Sequence, residues 1–114
     1  MSIPAEFVGR WRIAEMETWD QEFVDLVVPG FFAFRKNGTG EFAFGAIEGA
    51  LDCRAEVQGA ARRLAFTFDG VDEGDQVSGR GWVEVNGVEM TGRIYFHQGD
   101  DSGFRARKHQ ARRK

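Results

Sequence analysis

The sequence predicts an all-β fold: an antiparallel up-and-down meander of about eight strands closing into a small barrel, with one short helix after the first strand. Three observations carry this. Apolar and polar residues alternate through most of the chain, as in Leu51, Cys53, Ala55 and Val57 against Asp52, Arg54, Glu56 and Gln58, the pattern of a half-buried strand. Glycine-bearing turn signals separate the runs at hairpin spacing, most clearly Asn37-Gly38 and Asn86-Gly87, whose residues tolerate positive φ. A meander this long on 114 residues tends to close, because closure removes the unpaired edges of the sheet.

Residues 7–16 read as the first strand, with Trp11 and Ile13 on one face. Residues 17–28 break the alternation. Thr18 or Asp20 can cap a short helix there, with Phe23, Leu26 and Val27 at helical spacing, and Pro29-Gly30 ends it. A hairpin over 31–44 follows. Its loop, centred on Gly38, sets Phe34 opposite Phe42 and Phe32 opposite Phe44, while Arg35 meets Glu41 on the other face. A tight turn at Glu48-Gly49 then sets Ala46 against Leu51, Phe44 against Cys53 and Phe42 against Ala55. Beyond a loop at 59–62, Leu64, Phe66 and Phe68 continue the apolar face, and 70–75 form an acidic loop. A long strand from Gln76 turns at Asn86-Gly87 and returns through His97, and Phe104 and Ala106 form a last short strand. The barrel domain spans 1–107, and 108–114 make a basic tail expected to be disordered.

The content of 42% hydrophobic residues suffices for a single core without staples. One cysteine, Cys53, permits no internal disulfide. The first residues lack the basic and apolar regions of a signal peptide, and no run approaches the roughly 20 apolar residues of a membrane span. The chain is therefore expected to be cytoplasmic, without membrane association. Its net charge of -3 hides an asymmetry. From Arg105 onward there are six basic residues and no acidic side chain, leaving nine basic against eighteen acidic residues in the body. A basic tail can serve nucleic acid or an acidic partner, or be a solvated terminus. No aromatic interleaves its last eight residues, so nucleic acid is not expected beyond the tail itself.

No phosphate loop, zinc helix, Cys-x-x-Cys pair or Gly-x-Ser-x-Gly elbow is present, so neither a metal nor a cofactor is expected. Cys53 falls on the apolar face of its strand, as a structural thiol does. The densest polar cluster is His97-Gln98-Gly99-Asp100-Asp101-Ser102. His97 with Asp100 or Asp101 can make an oriented general base or part of an oxygen-rich metal site, though neither has a full set of parts in the sequence, or the segment can be a β-turn with satisfied backbone donors. In the acidic helix region strict alternation turns Glu15 inward, where it needs a partner; a bulge near Ala14 leaves it in water. On the Asn86-Gly87 register Arg80 lies directly across from Arg93, with Arg107 beside Arg93 and Trp82, Tyr95 and Arg105 as flanks. Such a row of like charges suits an anion or a carboxylate-rich partner unless neighbouring carboxylates neutralise it. The same register gathers Gly79, Gly81 and Gly92 on the apolar face, leaving room for the protein's own aromatics or a small apolar ligand.

Gly9-Arg10-Trp11 resembles the Gly-x-Trp signature of the lipocalin and wider calycin group. That resemblance implies a calycin-like barrel with Trp11 lying across one end and packed against a basic residue of the last strand, Arg105 or Arg107. The chain is shorter than lipocalins and lacks their later loop motifs. Gly-Arg-Trp-Arg-Ile, Met-Glu-Thr-Trp-Asp and Phe-His-Gln-Gly-Asp-Asp-Ser also resemble a set of small uncharacterised bacterial proteins, a likeness that implies no activity.

Together these features read as a binding module rather than an enzyme, monomeric or homodimeric. A small molecule or an acidic protein partner would be held by Trp11, Glu15, Trp19, Asp20, Arg80, Trp82, Arg93 and Tyr95, at an end opening rimmed by 17–28 and 97–102 or on the arginine row. The alternatives are a small hydrolase or isomerase using His97 with Asp100 or Asp101, and a structural protein that dimerises through a sheet edge or the Trp82–Tyr95 face. A sealed interior argues for surface recognition.

Overall fold

The computed structural model describes residues 2–109. After a 3-10 turn at Ala5–Phe7 come β1 (Gly9–Met16), one helical turn α1 (Gln21–Val24), β2 (Phe31–Phe34), β3 (Thr39–Phe44), β4 (Ile47–Gln58), β5 (Ala61–Asp72), β6 (Asp75–Asn86), β7 (Glu89–Phe96) and β8 (Asp101–Lys108). Each strand runs antiparallel to the next and β8 pairs with β1, so the eight strands form a closed up-and-down barrel. This architecture is compatible with a calycin-like fold. Among the described residues no helix is long and apolar enough to cross a membrane. The tail residues 110–114 lie outside the described residues; Lys108 still belongs to β8, and the His109 N–H bonds the Arg10 carbonyl.

The interior is filled by phenylalanine. Phe32, Phe34, Phe42, Phe44, Phe66, Phe68 and Phe104 are all buried, with Phe32 stacked on Phe104 at 4.7 Å between ring centroids. Aromatics of this size fit because each strand pair sets a ring against a missing side chain. Phe34 lies opposite Gly40, Phe42 opposite Gly49, Phe66 opposite Gly81, Phe68 opposite Gly79 and Phe104 opposite Gly92. A Cβ added at Gly49, Gly79, Gly81 or Gly92 would come within 2.5–2.8 Å of its partner's ring. The room read at Gly79, Gly81 and Gly92 thus goes to the protein's own aromatics.

Both ends are covered. At one, Ile3, Phe7 and Trp11 are buried, and the Trp11 indole N–H donates to the Phe7 carbonyl at 3.0 Å. The basic partner of Trp11 is Lys108, not Arg105 or Arg107. Register sets Lys108 opposite Trp11, its ammonium lies 4.7 Å from the ring centroid, and it donates to the Val8 carbonyl. Alternation decides this: Phe104 and Ala106 point inward, so Arg105 and Arg107 point outward to Glu15 and Glu89. At the other end sits α1, capped by the Asp20 carboxylate on the Phe23 N–H. Its buried residue is Val24, whereas Leu26 and Val27 are exposed, because the helix stops after a single turn.

Three local expectations are corrected. The 31–44 hairpin has a three-residue loop, 36–38, ending in Gly38 at φ 92°, so Phe32 rather than Phe34 opposes Phe42, and Phe44 opposes Ile47. Arg35 still reaches Glu41 diagonally, at 2.8 Å. The next turn is Gly45-Ala46, not Glu48-Gly49; Gly45 supplies positive φ at the first loop position, and Phe42 opposes Gly49 instead of Ala55. The β6–β7 loop is Gly87-Val88, so Arg80 opposes Tyr95, and Arg93 opposes Trp82. Only Gly87 has positive φ there, as a type II′ turn requires, whereas the expected type I′ turn needs it at both central positions.

Two stability measurements follow. In urea titration Trp11→Ala is expected to cost about 3–5 kcal/mol, as for other buried aromatics; an unchanged midpoint would show that Trp11 does not hold that end together. Gly79→Ala puts a Cβ 1.9 Å from the Tyr95 carbonyl and 2.8 Å from the Phe68 ring, and is expected to cost about 1–3 kcal/mol as an overpacking change.

Candidate functional site

With the interior occupied, the concave features of interest are at the α1 end and on the outer wall. The first is a rim cleft of about 380 Å³, lined by Trp19, Phe23, Val77, Phe96 and His97 and bordered by Asp72 and Asp100. Its floor is built by aromatic contact: Trp19 stacks on Phe23 at 5.9 Å and meets Phe44 at 5.4 Å and Phe96 at 6.2 Å. The segment carrying Trp19 is tied to β8 by hydrogen bonds, among them a Gly103 N–H donated to the Glu17 carboxylate at 3.3 Å. The Glu17 N–H donates to the Gly103 carbonyl at 2.9 Å, the Thr18 N–H to the buried Ser102 hydroxyl at 3.1 Å, and the Thr18 hydroxyl to the Asp101 carbonyl at 2.7 Å. The far side of α1 is fastened by Asp25, whose carboxylate accepts from Arg12, Gln21 and the Gly30 N–H at 2.8–3.1 Å. Partial burial pushes the Asp25 pKa up, but those hydrogen bonds and the Arg12 charge outweigh it and hold the carboxyl below its usual range.

The second feature is an open groove of about 820 Å³ across the outer faces of β4 to β7. Cross-strand pairing builds it: Asp52, Thr67, Arg80, Tyr95 and Asp101 form one row, each opposite the next. Ala50, Asp69 and Ser78 form the row above, and the His97 N–H bonds the Ser78 carbonyl at 2.8 Å. The short side chains of Ala50, Thr67 and Ser78 make the floor. Arg80 lies over the Tyr95 ring, 4.6 Å from its centroid, and among the described residues no carboxylate comes within ion-pair distance of it. The two cavities adjoin, sharing Ser78, Phe96, His97 and Gly99.

Of the residues singled out in the sequence, Trp19, Arg80, Tyr95, His97, Asp100 and Asp101 line these cavities. The others do not. Trp11 is in the core, and Asp20 caps α1. Glu15 points outward to Arg105 because β1 bulges between Ile13 and Glu15. Trp82 lies under Arg63, 3.8 Å from guanidinium to ring, and Glu84 holds that arginine. Arg93 is paired with Asp101 at 2.6 Å and Glu17 at 3.1 Å, and Arg107 with Glu89 at 3.2 Å. The arginine row therefore does not form. His97 is exposed and makes no side-chain hydrogen bond to Asp100 or Asp101 among the described residues; Asp101 is taken by Arg93 instead. Sequence reading missed Phe23, Ser78 and Phe96: α1 brings Phe23 to the rim, Phe96 ends β7 next to His97, and the corrected β6–β7 register sets Ser78 beside His97.

Cys53 is buried, and desolvation followed by the nearby Asp52 charge pushes its thiol up to about 12, so it stays protonated. Among the described residues no group of three or more His, Cys, Asp or Glu side chains is placed to hold a metal ion. No family model matches the chain, and neither a curated protein nor a solved structure is significantly similar to it.

The clamp under α1 gives a pH dependence. A lowered native pKa contributes stability that is complete above the unfolded value of about 3.9 and is lost as pH falls through the native value. In urea titrations the advantage of the wild type over Asp25→Asn should therefore hold at neutral pH and shrink below about pH 4. A constant difference down to pH 2 would show that charge does not fasten α1.

Proposed function

We propose that this protein is a binding module whose ligand is a small organic molecule with an apolar, preferably aromatic, body and a single anionic group. The body lodges in the rim cleft against Trp19 and Phe23, and the anionic group reaches Arg80 above Tyr95. One observation carries the reading: the aromatic cleft and Arg80, which has no carboxylate partner among the described residues, belong to one concave surface, joined at Ser78, Phe96, His97 and Gly99. The filled interior supports it by leaving the calycin type of internal ligand no room. His97 and Ser78 supply hydrogen bonds at the junction. The carboxylates of Asp52, Asp69 and Asp101 along the groove disfavour multiply charged anions, because like charges in a partly desolvated site repel.

Anilinonaphthalene sulfonate, an aromatic monoanion, is a suitable probe. It should bind with one-to-one stoichiometry, and Arg80→Ala should weaken binding about tenfold, the worth of one charged hydrogen bond, without lowering stability. Trp19→Ala should weaken it to a similar degree. Retention of full affinity by both variants would remove this reading.

A further inference from the structure

A second basic feature lies on the seam where the barrel closes, and among the described residues no carboxylate lines it. Arg12 on β1 stands directly opposite Arg107 on β8, an arrangement of like charges that destabilises a strand pair. One strand position away, His109 is held beside Arg10 by the bond from its N–H to the Arg10 carbonyl at 2.8 Å. Four basic side chains thus occupy adjacent outward positions on neighbouring strands. Arg12 is offset by Asp25 at 2.9 Å and Arg107 by Glu89 at 3.2 Å. Arg10 has no ion-pair partner among the described residues, and its guanidinium carbon lies over the Phe31 ring, 3.7 Å from the centroid. Arg10, Arg12 and His109, with Pro29 and Phe31, surround a hollow of about 340 Å³.

We infer that this hollow binds a phosphate group. Its lining supplies hydrogen-bond donors, two guanidinium planes and one imidazole, in a body that is otherwise acidic. A guanidinium presents a rigid fork matched to phosphate oxygens, and stacking on Phe31 fixes the orientation of that fork in advance. Asp25 and Glu89 already pair with Arg12 and Arg107, which leaves Arg10 as the principal contact and His109 as a second. The phosphate can come from a small phosphate ester or from a nucleic-acid backbone. Both sources share this chemistry.

The test uses the full chain and two probes, adenosine monophosphate and a ten-nucleotide single-stranded oligothymidylate, followed by amide and imidazole NMR shifts. Both probes should give saturable shifts at Arg10, Arg12 and His109. Arg10→Gln, which keeps an aliphatic cover over Phe31, should weaken binding about tenfold, while Lys36→Ala, which removes a basic residue elsewhere on the surface, should change nothing. Tighter binding of the oligonucleotide with a steep salt dependence assigns the phosphate to a polymer backbone. Equal, weakly salt-dependent affinities assign it to a small ester. Absence of saturable shifts at these residues with both probes, or unchanged affinity in Arg10→Gln, overturns the inference.

Discussion

The structure depends on setting phenylalanine against glycine across strand pairs. An eight-stranded barrel is just wide enough for side chains to fill, and rings on every inward position would overpack it. Placing Gly40, Gly49, Gly79, Gly81 and Gly92 opposite Phe34, Phe42, Phe68, Phe66 and Phe104 resolves the conflict residue by residue. Each ring covers the backbone that a glycine leaves bare, so the loss of side chains in mid-strand is compensated by aromatic burial. The consequence is functional as well as structural. Among the described residues the rings fill the interior, and the concave surfaces described above lie on the outer wall and rim.

On that outer wall most arginines are committed to carboxylates. Arg63 with Glu84, Arg93 with Asp101 and Glu17, and Arg105 with Glu15 staple neighbouring strands. Half-exposed pairs of this kind contribute little stability individually, typically up to about 1 kcal/mol. Their larger effect is to fix which cations remain available. Arg80 and Arg10 are the two guanidinium groups stacked on an aromatic ring without a carboxylate among the described residues, one above Tyr95 and the other above Phe31. Both proposed sites form around them.

Fold class and strand faces were legible in the sequence because a period of two survives errors of register. The hairpin pairings were displaced by even numbers of residues, so every inward Phe stayed inward. The candidate site was legible only in part, for the same reason in reverse. Cross-strand neighbours depend on the exact loop: Gly87 was assigned to the second loop position where it takes the first, and the turn assigned to Glu48-Gly49 lies at Gly45-Ala46. A shift of one loop residue dissolved the Arg80–Arg93 pair; the like-charge pair Arg12–Arg107 arises separately from the β1–β8 pairing, which no local turn signal could reveal. Trp19, Arg80 and His97 were recognisable as polar or aromatic residues in unusual places, but their neighbours Phe23, Ser78 and Phe96 come from three separate elements.

Closure concentrates the topological difficulty of this fold in one step. Seven strand pairings join consecutive strands, whereas the eighth joins β1 to β8. The bond from Lys108 to Val8 spans 100 residues, and the entropy of closing a loop of that length is about 4 kcal/mol plus a constant in the ideal-chain limit. Folding can therefore accumulate hairpins in sequence order and still wait on the seam, as expected when non-local contacts set the rate. Until the seam closes, β1 and β8 are open edges, and Trp11 lacks the lysine that covers it. Speed of assembly and exposure to aggregation in this protein are thus governed by the same two strands.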